Sequence, residues 1–126
     1  MMLRRLFGTE ARIFEWVCVI GNVCWGGWLL NPHIDFNRPA YVTFTALLSQ
    51  QAWAALLVSL GIAHATALIG EMRSIRQYTA LFQAAAWVYV ALTLGLHNFN
   101  STAFPTYSWI AAIHVVLWLR LAVIAR

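Results

Sequence analysis

Three ionisable side chains lie inside apolar stretches of this sequence and are its first candidates for chemistry. Glu15 belongs to the run RIFEWVCVIGNVCWGGWLL, and His64 and His114 belong to two later apolar runs. Ionisable groups inside a membrane segment are costly, and for that reason they are default candidates for proton transfer or ion binding. The histidines also suggest a haem held by two axial ligands. At 1.5 Å per residue, however, His64 lies about 9 Å and His114 about 15 Å from the cytoplasmic end of its span, so their depths match poorly.

Each of these side chains also has a structural interpretation, and the sequence leaves both open. Glu15 can form an ion pair with Arg12, three residues earlier, or with Arg120, which lies at a similar depth near the end of the chain. Asn22, deeper in the same run, can form a hydrogen bond between helices. His64 and His114 can simply be packed inside a helix bundle.

The sequence contains no pattern typical of an active site. It has no GxSxG, HExxH, glycine-rich phosphate loop or paired carboxylates. Cys18 and Cys24 are six residues apart on one predicted helix, which makes a disulfide between them implausible. No Cys/His metal pattern or closely spaced histidine pair occurs. We therefore expect no enzymatic activity, no cofactor and no metal.

The composition places the chain in a membrane. Of its 126 residues, 62% are hydrophobic and only 10% are charged. Soluble domains have roughly 45–50% apolar and about 25% charged residues. The formal net charge of +4 comes from arginine alone, and we interpret it as a topology signal rather than as a nucleic-acid-binding surface. The length predicts one domain, residues 1–126.

Apolar runs and breaks predict four membrane-spanning helices. Asn31-Pro32 ends the first span, because proline keeps its preceding residue out of the α region. Ser49 is the predicted N-cap of the second span, since about 20 residues suffice to cross the hydrocarbon. A single long tilted helix that includes the preceding apolar residues is the alternative. The predicted spans cover about residues 11–30, 50–70, 77–96 and 103–124, with short interfacial segments at 2–10 and 41–48.

Arginine positions predict the orientation of these spans. Seven of the eight arginines fall on one side of the membrane if the N-terminus is cytoplasmic, and only Arg38 falls on the other. The positive-inside rule then puts both termini in the cytoplasm. The predicted fold is an all-α integral membrane protein of the bacterial inner membrane, with four transmembrane helices in an antiparallel bundle.

One face of the first span predicts how the bundle packs. The residues Glu15, Cys18, Asn22 and Gly26 follow spacings of 3, 4 and 4, which place them on one helix face. We call these four residues the polar stripe. Small residues let helices approach closely in lipid, and those predicted to meet the stripe are Ser59, Ala63 and Ala67 of the second span and Ala84 of the third. The stripe either seals a bundle or lines a channel between copies.

Four stretches of the chain resemble small four-span membrane proteins of tailed bacteriophages and prophages: WVCVIGNVCWGGWLL, QAWAALLVSLGIAHATALI, AAAWVYVAL and STAFPTYSWIAAIHVVLWLR. The shared features are a tryptophan that opens the second helix, an arginine-containing turn after it, and a Ser-Thr turn into the fourth helix. Those proteins often carry Pro-Glu ahead of that tryptophan, where this chain has Gln50-Gln51-Ala52. The resemblance implies a phage context and assigns no catalytic residue.

The sequence therefore supports three functional hypotheses. The first is a non-enzymatic phage-type membrane protein that acts by helix packing and self-association, as a holin-like oligomer, a superinfection-exclusion factor, or a component of virion assembly or genome entry. The second is a haem-binding or proton- or ion-translocating protein that uses His64, His114 and Glu15. The third is an accessory subunit of a larger membrane complex. In each case the lipid bilayer is a partner.

Overall fold

The computed structural model describes the backbone of residues 2–97 and 102–124 and the side chains of residues 12–97 and 102–123. These residues form helices and turns, with no strand among them. Two helices continue into π-helical turns, at Ala91–Gly95 and at Arg120–Ile124. The helices are α1 (Met2–Trp28), α2 (Pro39–Phe44), α3 (Gln50–Ile69), α4 (Arg73–Val90) and α5 (Ala103–Leu119).

Three helical segments in the described part of the chain are long and apolar enough to cross a membrane. They are Gln50–Ile69, Arg73–Gly95 and Ala103–Val123. Together with the apolar composition, they make this an all-helical membrane protein. The apolar side of residues 2–10, with Arg4 and Arg5, lies outside the described side chains, and residues 98–101 and Arg126 lie outside the described chain.

The N-terminal residues do not form the separate interfacial helix that the sequence suggested. Residues 2–10 and the first apolar run make one continuous helix, α1, of 27 residues. The predicted break before α3 is confirmed. Ser49 has extended backbone, and its hydroxyl accepts a hydrogen bond from the amide of Ala52 at 3.2 Å. The segment 41–48 is only partly helical, because α2 ends at Phe44 and turns follow it.

A tight turn joins α3 to α4. The amide of Met72 donates to the carbonyl of Ala67 at 2.8 Å and that of Glu71 donates to the carbonyl of Leu68 at 3.4 Å, as in a Schellman motif. Glu71 is the residue after the C-cap and has φ of 55°. As a result α4 begins at Arg73, four residues before the predicted start of the third span.

The helices pack in the order α1, α3, α4, α5. α1 lies along α3, α3 along α4 and α4 along α5, whereas α1 and α5 barely touch. Two glycines bring α1 and α3 close together. A Cβ added to Gly61 would lie 2.8 Å from Cγ2 of Val23, and one added to Gly26 would lie 3.2 Å from the carbonyl oxygen of Ala54. At both positions a larger residue would force neighbouring atoms to shift.

The row of small residues predicted on the second span, Ser59, Ala63 and Ala67, is only partly buried. Ser59 is exposed and Ala63 is half-buried, while Ala67 is fully buried. The buried face of α3 carries the large side chains of His64 and Trp53, which pack inside the bundle. Gly61 lies on the same buried face. Small size permits a close contact between helices, but it does not by itself select the face that makes the contact.

Aromatic rings fill the end of the bundle that lies near α2. Phe44 is fully buried, with ring centroids 5.0 Å from Trp53 and 6.0 Å from Trp25. The indole N–H of Trp53 donates to the carbonyl of Phe44 at 3.1 Å, and the hydroxyl of Tyr89 donates to the same carbonyl at 3.3 Å. Trp53 is only 2% exposed and belongs to the core.

Candidate functional site: a buried polar cluster between three helices

Glu15 is the centre of a buried cluster that joins α1, α3 and α4. Its side chain is 1% exposed. The carboxylate accepts two hydrogen bonds from the guanidinium of Arg76, one of them from Nε at 2.9 Å and the other from Nη2. It also accepts one from Nε2 of His64 at 2.9 Å. A carboxylate held by a guanidinium fork and an imidazole has its acceptor sites well satisfied.

Thr79 extends this cluster to the other side of the imidazole. Its hydroxyl oxygen lies 2.8 Å from Nδ1 of His64 and 2.9 Å from the carbonyl oxygen of Ile75. A hydroxyl has one proton to donate. A neutral His64 accepts that proton at Nδ1, whereas a doubly protonated His64 donates to Thr79, whose proton then goes to Ile75. Rotation of one hydroxyl therefore suits both charge states. We call Glu15, His64, Arg76 and Thr79 the polar cluster.

The polar cluster holds α1 against the other helices. Glu15 and Arg76 carry opposite charges, and Arg76 is 16% exposed, so its end of the pair lies nearest to the solvent. Removing one partner from a buried ion pair generally costs about 3–5 kcal/mol, because the other charge is left uncompensated. The cluster thus fixes the position of α1 as well as offering titratable groups.

A second set of polar side chains lies about two helical turns further along the bundle. The indole N–H of Trp87 donates to Oδ1 of Asn22 at 2.5 Å, which joins α4 to α1. The side-chain amide of Gln83 donates to the carbonyl of Leu60 at 3.3 Å, which joins α4 to α3. The ring of His114 stacks on Trp87, with centroids 5.5 Å apart.

The structure places the predicted residues of the first span inside the bundle. All four residues of the polar stripe are buried. Among the residues predicted to meet them, Ala67 and Ala84 are buried, Ala63 is half-buried and Ser59 is exposed. The stripe is therefore covered within a single chain.

The predicted ion-pair partner of Glu15 needs correction. The sequence suggested Arg12 or Arg120, whereas in the structure Glu15 pairs with Arg76 and with His64 beside it. Arg12 instead pairs with Glu71 at 2.7 Å on the surface. Arg76 lies before residue 77, where the third span was predicted to start. Because α4 begins at Arg73 instead, Arg76 falls in its first turn and reaches α1.

The geometry of His64 does not suit a haem held by two histidines. Both ring nitrogens of His64 already have hydrogen-bond partners, Glu15 and Thr79, so neither is available as an axial ligand in this arrangement. Nδ1 of His114 donates to the carbonyl of Ile110 at 2.9 Å. Among the described residues, no three metal-ligating side chains of the His, Cys, Asp and Glu type come together.

A cleft and a cavity lie next to the buried side chains described above. A cleft of about 200 Å³ lies between α1 and α5, where these helices barely touch, and Cys18, Trp25, Trp87 and His114 are among its lining residues. A larger cavity of about 420 Å³ lies at the α2 end of the bundle, lined by Arg38, Tyr41, His97 and Tyr107 among others. Neither reaches the polar cluster, whose four residues line neither opening.

Comparison of the chain with protein-family models, with curated proteins and with solved structures gives no match. The case for a function therefore depends on the geometry and the sequence.

Proposed function

We propose that this chain is a four-span protein of the bacterial inner membrane with both termini in the cytoplasm. Three spans are α3, α4 with its π-helical turn, and α5; the fourth is the apolar part of α1, which packs along α3. Seven of eight arginines fall on one side in this topology. The Glu15–Arg76 pair then lies near the cytoplasmic surface, where the guanidinium of Arg76 can reach water.

We further propose that the protein is non-enzymatic and acts by association in the membrane. The observation that carries this proposal is that the polar stripe of α1 is buried against the same chain's α3 and α4. Because the polar stripe is covered by helices of its own chain, it cannot also line a channel between copies. This favours superinfection exclusion, or a role in virion assembly or genome entry, over a holin-like pore. The phage context rests on the sequence resemblance alone.

Association would use the faces that the bundle leaves uncovered. Large apolar side chains are exposed on the outer faces of α1, α4 and α5, among them Ile13, Val17, Phe82, Trp109 and Val116. In water such a surface would aggregate, whereas in a bilayer it faces lipid or another protein. Self-association and docking into a larger membrane or virion assembly both fit these faces.

Thiol labelling in membranes tests the sealed stripe. In a background with Cys18→Ala and Cys24→Ser, we expect Asn22→Cys to stay unlabelled by an aqueous thiol reagent until the protein is denatured. Ser74→Cys, at an exposed position in the first turn of α4, is the positive control for labelling. Rapid labelling of Asn22→Cys in intact membranes would show a wet stripe and would overturn the proposal.

Inducible expression in a bacterium then separates the biological roles. Membrane potential and growth are followed after induction, and the cells are challenged with phage. Unaffected growth combined with phage resistance supports exclusion, and abrupt loss of potential supports a holin. Neither effect points to a virion component or an accessory subunit.

A second candidate function is proton transfer, which is favoured by the unbroken chain of hydrogen bonds from Thr79 through His64 to Glu15. Reconstituted vesicles with a trapped pH-sensitive dye and a potassium diffusion potential provide the test. Proton uptake by the wild-type protein that is lost in Glu15→Gln supports transfer. Equal uptake by the two proteins, or none by either, excludes this role.

A further inference from the structure

Three buried polar atoms near the middle of the bundle have no hydrogen-bond partner within the described part of the chain. They are Nδ2 of Asn22, Oε1 of Gln83 and Nε2 of His114. Asn22 and Gln83 are fully buried, and His114 is 3% exposed. Inside a membrane an unsatisfied polar group is energetically costly, because no solvent is present to take the place of a partner. The three atoms come from three different helices, α1, α4 and α5.

The donor or acceptor character of each atom is fixed by the partner on the other side of its group. An indole N–H can only donate a hydrogen bond, so Asn22 turns its side-chain oxygen to Trp87. The NH₂ group of Asn22 then remains without a partner. A backbone carbonyl can only accept. The NH₂ group of Gln83 therefore donates to Leu60, and its side-chain oxygen remains without a partner. In the same way Nδ1 of His114 carries the proton given to Ile110, and the neutral ring has a lone pair at Nε2.

The three groups converge on Trp87. Asn22 accepts from its indole, and the ring of His114 stacks on it with an interplanar angle of 25°. Gln83 precedes Trp87 by four residues, one turn along the same face of α4. Gln83 also donates to Leu60, whose neighbour Gly61 packs against Asn22: a Cβ added to Gly61 would lie 3.5 Å from Cβ of Asn22. All three groups thus lie within about one helical turn of Trp87.

We propose that Asn22, Gln83 and His114 form a binding site for a water molecule in the middle of the bundle. The free atoms offer one donor and two acceptors, and water supplies the complement, two donors and one acceptor. Buried waters usually make about three hydrogen bonds. An alcohol has only one proton to donate, so it cannot satisfy both acceptors. A metal cation binds lone pairs and offers no acceptor, so it leaves the NH₂ group of Asn22 unsatisfied. The proposal does not depend on the proposed function.

Solid-state NMR of the isotope-labelled protein in lipid bilayers tests the site. We expect magnetisation to pass from water to the side-chain amide of Asn22, although this group is fully buried. The half-buried side chain of Gln77, near the start of α4, is the internal control for water contact. Transfer to Gln77 without transfer to Asn22 would overturn the proposal, and so would a direct contact between the amides of Asn22 and Gln83.

Two variants show whether the three residues share the water. Gln83→Leu removes one acceptor and keeps a side chain of similar length, so we expect loss of the water signal at Asn22. Gln51→Leu, on the exposed face of α3, should leave the signal unchanged. A signal at Asn22 that persists in Gln83→Leu would contradict a shared site. Should Gln83→Leu fail to fold, His114→Phe removes the other acceptor and keeps a ring to stack on Trp87.

Discussion

Nε2 of His64 on α3 lies 2.9 Å from the carboxylate of Glu15 on α1, and both side chains are removed from solvent. The same carboxylate forms an ion pair with Arg76 on α4. One acidic residue thus connects three helices, and α1 has a buried ionic contact with its neighbours at this point. We therefore expect changes at Glu15 to disturb the packing of all three helices, and changes at surface carboxylates to have little effect.

Replacing Glu15 by alanine should destabilise the protein by about 3–5 kcal/mol, because Arg76 keeps its charge and loses its partner. Reversible unfolding in bilayers or bicelles measures this loss. Glu71→Gln is the matched control, since it removes the exposed pair with Arg12 and should cost at most about 1 kcal/mol. Equal effects of the two changes would mean that burial does not strengthen the Glu15 interactions.

The close contact of α1 and α3 predicts different outcomes for two glycines. Gly61→Ala puts a methyl group 2.8 Å from Cγ2 of Val23 and 3.3 Å from the carbonyl oxygen of Val19. We expect a loss of about 1–3 kcal/mol, as for other overpacked sites. A Cβ at Gly21 meets no atom within 4 Å, so Gly21→Ala should be neutral or stabilising by up to about 1 kcal/mol. Thermal unfolding of both variants in one detergent gives the comparison.

The turn between α3 and α4 has left-handed backbone at Glu71, which predicts a difference between two substitutions there. Glu71 has φ of 55°, a conformation that favours glycine over residues with a Cβ. Glu71→Gly and Glu71→Ala both lose the pair with Arg12, so comparing them isolates the backbone effect. The glycine variant should be more stable than the alanine variant by about 1 kcal/mol. An alanine variant of equal stability would show that the turn can relax without left-handed backbone.

Trp53→Phe should loosen α2 while leaving the rest of the bundle intact. The change removes the hydrogen bond to the carbonyl of Phe44 and retains a ring to stack on Phe44 and Tyr89. We expect the free energy of unfolding to fall by about 1 kcal/mol. Hydrogen exchange should become faster than in the wild-type protein in residues 39–48 and stay unchanged in α4. Trp109→Phe, at a side chain that is 70% exposed, should change neither rate. Uniformly faster exchange throughout Trp53→Phe would indicate a core defect instead.

Much of the helical order was predictable from local patterns. Proline after Asn31 and serine before Gln50 mark a helix end and a helix start by their own backbone chemistry, and Ser49 caps α3 in the structure. The spacing of Glu15, Cys18, Asn22 and Gly26 placed these residues on one face, and all four are buried. Such features depend on neighbours within a few residues, which a single sequence contains.

The partners of those residues were less predictable, because they depend on how helices rotate against each other. A shift of one residue turns a helix face by about 100°, and the small-residue row on α3 did not fix that rotation. The partner of Glu15 also depended on where α4 begins. Moving its start from Gln77 to Arg73 converts Arg76 from a turn residue into a helix residue that faces α1.

The pairing of Glu15 with Arg76 also sets an order for biogenesis. The two residues are 61 positions apart, and ribosomes add about 5–20 residues per second, so the carboxylate is made about 3–12 s before its guanidinium. A lone acidic side chain in a nascent span raises the free energy of insertion. If α1 spans the membrane as proposed, we therefore expect it to settle at its final depth after α3 and α4 have brought His64 and Arg76 to Glu15. The position of α1 would then depend on residues that are translated after it.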